Sequence, residues 1–276
     1  MKINQDVYKF FVDNGCLLQE RASGHEFVEK LKRFGGEPFL RALKSNKAHP
    51  LASTAPVYAA KNANRQLADM LCAYLTPERL AKETSRIQGF GYVKTNLPTL
   101  DLGCENGIIL CCLAALNPQA RFIGVDPCEP AIRVARERAS ELGLQNVEFV
   151  CDTAEHYLAN VGDARFGLIL ALCLFAEAWR AFWKAPDQEQ LLFRAFFRRL
   201  SSALGDGGRL VATDISLDDA ARHGLANFVS RCDLSFASRE SAVITHEDGD
   251  TSSFFVFKKG AGSSVQMATI KKLKRV

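Results

Sequence analysis

The sequence predicts an α/β protein: a doubly wound, mostly parallel seven-stranded sheet with a terminal antiparallel hairpin, preceded by an N-terminal helical cap. Three observations predict it. After Pro98, short apolar runs rich in β-formers alternate with helix-length patterns as far as Cys232, the order that makes βαβ units. Before Pro98 the apolar stripes have helical spacing. Near the end, two strand-like runs flank Asp248-Gly249-Asp250, a strong hairpin turn.

The cap comes first, in residues 1–92. Ser23-Gly24-His25-Glu26 has the capping-box spacing, and Phe27, Val28, Leu31 and Phe34 follow on one face before Gly35-Gly36. Phe10 and Phe11 lie upstream to pack on that face. One longer helix is expected from near Val57 to Leu75. Thr76-Pro77 offers a cap and first-turn proline for another, ending before Gly89. Residues 93–259 form the α/β core. Its strands are expected at Thr99 to Cys104, Arg121 to Asp126, Val147 to Cys151, Phe166 to Leu174 and Arg209 to Ile215. The fourth is apolar almost throughout, as a strand covered on both faces should be. Helices are expected at Ile108 to Leu116, Glu129 to Leu142, Gln188 to Leu204 and Leu217 to Cys232. Ala242 to Glu247 and Ser252 to Lys258 make the final hairpin. Residues 260–276, Gly/Ser-rich and then basic, read as a loosely ordered tail.

Composition narrows the class. With 47% hydrophobic and 24% charged residues in 276, the chain is neither disordered, collagen-like nor a coiled coil. No run approaches the ~18 apolar residues of a membrane span. The opening residues are too polar for a secretory leader, so a cytoplasmic protein is expected. The nine cysteines include no Cys-x-x-Cys pair, and reduced thiols without a metal site are expected. Charge is segregated. Residues 1–92 carry 14 basic and 9 acidic groups, residues 93–257 carry 15 and 22, and the remainder six basic and none acidic. An acidic core is a poor platform for a phosphate backbone, so any nucleic-acid contact must come from the ends.

Three successive strand ends carry the chemistry. The first runs Asp101-Leu102-Gly103-Cys104-Glu105-Asn106-Gly107 into a helix. Its glycines allow a tight turn and close approach of a ligand, and the helix start offers free N–H groups. A pyrophosphate would want Gly-x-Gly-x-x-Gly. Here Glu105 fills the middle position, which excludes NAD and suits a cation or zwitterion. The second strand ends in Asp126, placed to accept both hydroxyl protons of a ribose, with helix N-capping as its other role. The third ends in Asp152-Thr153-Ala154, where Asp152 can accept from an exocyclic amine or serve as a turn residue. All three converge on the carboxyl edge of the sheet.

Asp101-x-Gly103-x-x-x-Gly107, then Gly124-x-Asp126, then Asp152-Thr153-Ala154, resembles the class I S-adenosylmethionine-dependent methyltransferases. The terminal hairpin is similar to that family's last two strands. The resemblance covers roughly residues 95–258 and implies a Rossmann-like core with S-adenosylmethionine as cofactor and S-adenosylhomocysteine as product. It implies that Gly103, Cys104 and Gly107 face the methionine portion and that Asp126 and its neighbour Pro127 hold the ribose. Asp152, Thr153 and Ala154 would then frame the adenine. Asp101 orients the loop, and Leu172 on the fourth strand completes the set. The family usually has a further glycine where Glu105 stands.

The fourth strand carries no Asn/Asp-Pro-Pro-aromatic motif, which lowers the readings of base-amine or release-factor methylation. The following segment contains Trp179, Phe182 and Trp183, which can wall an apolar substrate or pack as core. His156, Glu177, Asp214 and His223 are the base candidates, none singled out by its neighbours. The leading expectation is methylation of an O, N or C nucleophile on a small molecule under a helical lid. A protein or RNA methyltransferase, and a non-catalytic cofactor-binding protein, are the alternatives. A homodimer remains an option.

Overall fold

The computed structural model describes residues 2–17, 24–48, 54–75, 78–175, 187–215, 217–246, 249–260 and 264–276. Six helices come first: α1 (Gln5–Asp13), α2 (Gly24–Arg33), α3 (Glu37–Ala48), α4 (Ala55–Lys61), α5 (Arg65–Leu75) and α6 (Arg79–Gly89). The alternating core follows as β1 (Thr99–Leu102), α7 (Ile108–Leu116), β2 (Phe122–Asp126), α8 (Glu129–Glu141), β3 (Val147–Cys151), α9 (Ala154–Asn160) and β4 (Phe166–Leu172). It continues with α10 (Asp187–Ala203), β5 (Leu204–Ile215), α11 (Asp219–Ser230), β6 (Leu234–Phe236), β7 (Ala242–Thr245) and β8 (Thr251–Lys259). The chain closes with α12 (Met267–Lys271) and β9 (Lys274–Arg275).

The sheet order is β3-β2-β1-β4-β5-β8-β7-β9, with β6 beside β8. The first five strands in that order are mutually parallel, and β8 runs antiparallel to β5 and β7. The crossover from β3 over β2 and β1 to β4 puts the topological switch point between β1 and β4, where open α/β sheets bind ligands.

Both faces of the sheet are covered, which is why β1, β2 and β4 are buried almost throughout. On one face, Leu158, Phe197, Leu200, Leu225 and Val229 from α9, α10 and α11 meet Leu100, Ile169, Ala212 and Phe255. On the other, Ile108 to Ala114 of α7 and Ile132 and Ala135 of α8 meet Leu168, Leu170, Val211 and Val256. Val7, Phe11, Ile87 and Tyr92 of the N-terminal segment belong to this second cluster. At ~1.5–3 kcal/mol per fully buried large apolar side chain, that contact alone is a large share of the fold's stability. A small satellite core, Leu31, Phe39, Leu67, Met70 and Leu71, holds α2, α3 and α5 together.

The structure corrects four expectations. The single helix from Val57 to Leu75 is two helices, because Asn62 and Asn64 cap the break. Asn62 Nδ2 donates to Tyr58 O at 2.9 Å, ending α4, and Asn64 Oδ1 accepts the Leu67 N–H at 2.9 Å, starting α5. The sheet has nine strands rather than seven, the additions being the three-residue β6 and two-residue β9. Residues 264–276 are not a loose tail. Ile270 and Leu273 are buried, and β9 pairs in parallel with β7. Helices α3 and α9 have no counterpart in the sequence reading. Ser23, Thr76-Pro77, Asp248 and the Trp179–Trp183 segment lie outside the described residues. No helix among the described residues is long and apolar enough to cross a membrane.

Candidate functional site

A cavity of about 750 Å³ opens at the carboxyl ends of β1, β2 and β4. Its strand-end wall is made by Asp101, Gly103, Cys104 and Glu105 after β1, by Asp126 and Pro127 after β2, and by Leu172, Cys173 and Leu174 after β4. Its second wall is helical: Ala55, Tyr58 and Lys61 of α4, Arg79 and Leu80 of α6.

The strand-end wall is held by backbone geometry. Gly103, at φ +74°, lets the chain turn, and a Cβ there would meet Leu174 Cδ1 at 3.1 Å. Its N–H and that of Cys104 donate to Val125 O. Asp126 ties the two loops together. Its Oδ2 accepts the Glu105 N–H at 3.0 Å and its Oδ1 the Cys128 N–H at 2.8 Å. Each oxygen keeps a lone pair for a ligand donor. Burial pushes the Asp126 carboxyl up, and those two N–H groups partly offset it.

Asp101 is buried, 3% exposed, and its Oδ1 makes no hydrogen bond. Burial, aided by the charge of Asp126, pushes it up to about 8. An orphaned buried carboxylate on a cavity wall is costly unless a donor or cation arrives.

Glu105 is the residue the sequence placed where a glycine is usual. It adopts φ +48°, which explains the preference for glycine. Its carboxylate turns to the helical wall, where Oε1 takes Lys61 Nζ at 2.7 Å and Asn62 Nδ2 at 3.1 Å. Burial raises this carboxyl, but Lys61, Asn62 and Arg79 outweigh that and hold it below its ordinary value. Glu105 therefore clamps α4 to the loop. Among the described residues, two of the four non-glycine residues at positive φ, Glu105 and Cys173, line the cavity, and strain of this kind collects at functional sites.

The comparisons with known proteins now bear on this site. The family model described as a methyltransferase domain matches residues 93–250, more than half of the chain. The chain belongs to the methyltransferase-domain family. Its members of this fold are the class I S-adenosylmethionine-dependent methyltransferases. Among curated relatives, a tRNA (guanine-N7)-methyltransferase of Rubrobacter xylanophilus is 44% identical over 52 residues, covering 19% of this chain and 23% of its own. One from Yersinia enterocolitica is 30% identical over 118 residues, covering 42% and 47%. The chain thus spans between about a quarter and a half of the length of these two relatives. Among solved structures, a magnesium protoporphyrin IX methyltransferase of Synechocystis covers 87% of this chain and 100% of its own at 12% identity and a TM-score of 0.49.

The methyltransferase's cavity fits the cofactor of its family on three observations: the orphaned Asp101 oxygen, the lone pairs of Asp126, and the space that a side chain at Gly103 would take. The other expected cofactor residues sit differently. Gly107, at φ +69°, is a packing glycine, since a Cβ would meet Phe149 Cζ at 2.6 Å. Asp152 lies beside the site, its N–H donating to Asp126 O at 3.2 Å, but its carboxylate is occupied by His156 Nδ1 at 2.8 Å and the Thr153 N–H. Thr153 N-caps α9 through the His156 N–H, and Ala154 is the first residue of that helix.

Three of the base candidates of the methyltransferase, His156, Asp214 and His223, do not line the cavity. The side chain of His156 is 70% exposed and paired to Asp152. His223 Nε2 is within 2.7 Å of Val265 O, where it ties α11 to the chain's end. Asp214 is buried in β5 and accepts the N–H of Ile215. Glu177 lies outside the described residues. A helical lid was expected, but sequence reasoning missed the residues that form the helical wall: Tyr58, Lys61, Arg79 and Leu80 follow no motif. The only available signal was Glu105 itself, a carboxylate in a glycine position that requires a cation from elsewhere.

Proposed function

We propose that this chain transfers a methyl group from S-adenosylmethionine to a small molecule held between the strand ends and helices α4 and α6. The observation that carries the reading is the shared cavity. Its 750 Å³ falls within the range of enclosed small-ligand sites, and about a third of its lining comes from the helical segment that precedes the matched family region. A walled cavity suits an acceptor that enters whole.

When bound, the cofactor supplies a methyl group activated by sulfonium. The chain's own residues do the rest. Asp126 offers acceptor lone pairs for two ribose hydroxyls, and Asp101 an acceptor for an ammonium group. Tyr58, Leu80 and Leu174 exclude water from the reacting region, where alignment and dryness supply most of the rate of an in-line displacement. No histidine lines the cavity among the described residues. This favours an acceptor whose nucleophile needs no strong base.

The named activity of the curated relatives supports a second reading, methylation of guanine N7 in tRNA. One experiment separates the two. The purified chain is incubated with methyl-labelled S-adenosylmethionine and, separately, with the low-molecular-weight fraction of a bacterial extract or with total tRNA. Label in the small-molecule fraction is expected. Label in tRNA, released by cleavage at 7-methylguanosine, would overturn the small-molecule reading.

A further inference from the structure

We propose that Arg79 recognises a carboxylate on the methyl acceptor; the inference deepens the small-molecule reading and rests on it. Among the described residues, two cations line the cavity, Lys61 and Arg79. Lys61 is consumed by Glu105 at 2.7 Å. Arg79 is engaged on one arm only. Its Nη1 donates to Cys173 Sγ at 2.8 Å and lies 3.7 Å from Glu83 Oε1, while its Nε and Nη2 make no hydrogen bond among the described residues. A guanidinium fork with one arm fixed and the other side open matches a carboxylate's two oxygens.

Its position gives the source of the carboxylate. Along the sheet edge the order is β2, β1, β4. Asp126 marks the nucleoside end at β2 and Asp101 the middle at β1. Arg79 is anchored to Cys173, immediately beyond β4, at the end away from the nucleoside. That is where an acceptor has room. Glu83 meets Arg79 only at 3.7 Å, beyond hydrogen-bond distance and on the Nη1 arm alone. Burial pushes the Glu83 carboxyl up, against the lowering pull of the Arg79 charge beside it. The apolar part of the acceptor would lie against Leu80, Leu172 and Leu174.

Binding rather than turnover tests this. S-adenosylhomocysteine is titrated first into wild type, Arg79→Gln and Arg79→Lys by calorimetry. Benzoate and its neutral isostere benzamide are then titrated by ligand-observed NMR into the saturated complexes. Benzoate should bind wild type about tenfold more tightly than benzamide, Arg79→Gln should erase the preference, and Arg79→Lys should restore part of it. Equal binding of the two probes to wild type, or a preference that survives in Arg79→Gln, would overturn the assignment. So would a loss of S-adenosylhomocysteine affinity in Arg79→Gln with 5′-methylthioadenosine binding intact, which would give the guanidinium to the cofactor's own carboxylate. Failure of wild type to bind S-adenosylhomocysteine at all would instead bring down the cofactor reading beneath it.

Discussion

The two walls of the cavity are built by different means. The strand-end wall is backbone work: a tight turn at Gly103, a carboxylate at Asp126 that collects two N–H groups, and strands whose register leaves little choice. The helical wall is side-chain work: Lys61 reaching Glu105, Asn62 reaching the same oxygen, and Arg79 reaching Cys173. The first kind of wall can be shared by every protein of the family, because it depends on spacing along the chain. The second lies before the matched family region and depends on which side chains a separate helical segment brings. The proposed function divides the work along the same line: the strand-end wall for the cofactor and the helical wall for the acceptor.

The comparison can be broken most severely by removing the helical wall. Deleting residues 1–88 strips Val7, Phe11, Leu17 and Ile87 from the core that also holds α7 and β8. At ~1.5–3 kcal/mol each, this approaches the ~5–15 kcal/mol of a typical domain. The truncated chain should fail to fold, as judged by circular dichroism and gel filtration. A soluble, cooperatively unfolding core would show that the cap is a detachable lid.

The next effect sharpens the strand-end side. With its carboxyl pushed up to about 8, Asp101 keeps its proton in the folded chain after the unfolded chain has lost it. Its contribution to stability is fully present below about pH 4 and falls as pH rises to about 8, a loss on the order of 2–5 kcal/mol. Urea unfolding at pH 5 and pH 8.5 measures it. Asp101→Asn should flatten that decline, and an equal decline in the variant would place the titrating group elsewhere.

Legibility in the sequence follows the same division. The alternation after Pro98 and the Asp101, Asp126 and Asp152 endings are local patterns, so the parallel core and the strand-end wall could be read. The break at Asn62–Asn64 was not read, because two asparagines inside an apolar helical stripe give no periodic signal until their caps are seen. The pairing of Lys61 with Glu105 spans 44 positions, and no spacing rule predicts it. Asp152 was read as a ligand group and is instead engaged by His156, one turn away on the same loop and helix.

Smaller effects follow. Asp126→Asn should weaken S-adenosylhomocysteine by ~1–3 kcal/mol, since a charged acceptor for ligand hydroxyls is lost, and calorimetry reads it directly. Unchanged affinity would remove Asp126 from the site. Lys61→Met and Glu105→Gln should each destabilise the fold, and together cost less than the sum, with a coupling of ~1–2 kcal/mol for this partly buried pair. Strict additivity in urea unfolding would mean that the two walls are not joined there.

The central claim, that both walls belong to one ligand site, is tested most directly by hydrogen–deuterium exchange of the full chain with and without saturating S-adenosylhomocysteine. The account predicts slowed exchange in residues 103–107 and 126–130 and, in the same experiment, in α4 at 55–61 and the first turn of α6 at 79–83. Protection confined to the strand-end loops, with α4 and α6 exchanging as in the free protein, would contradict it.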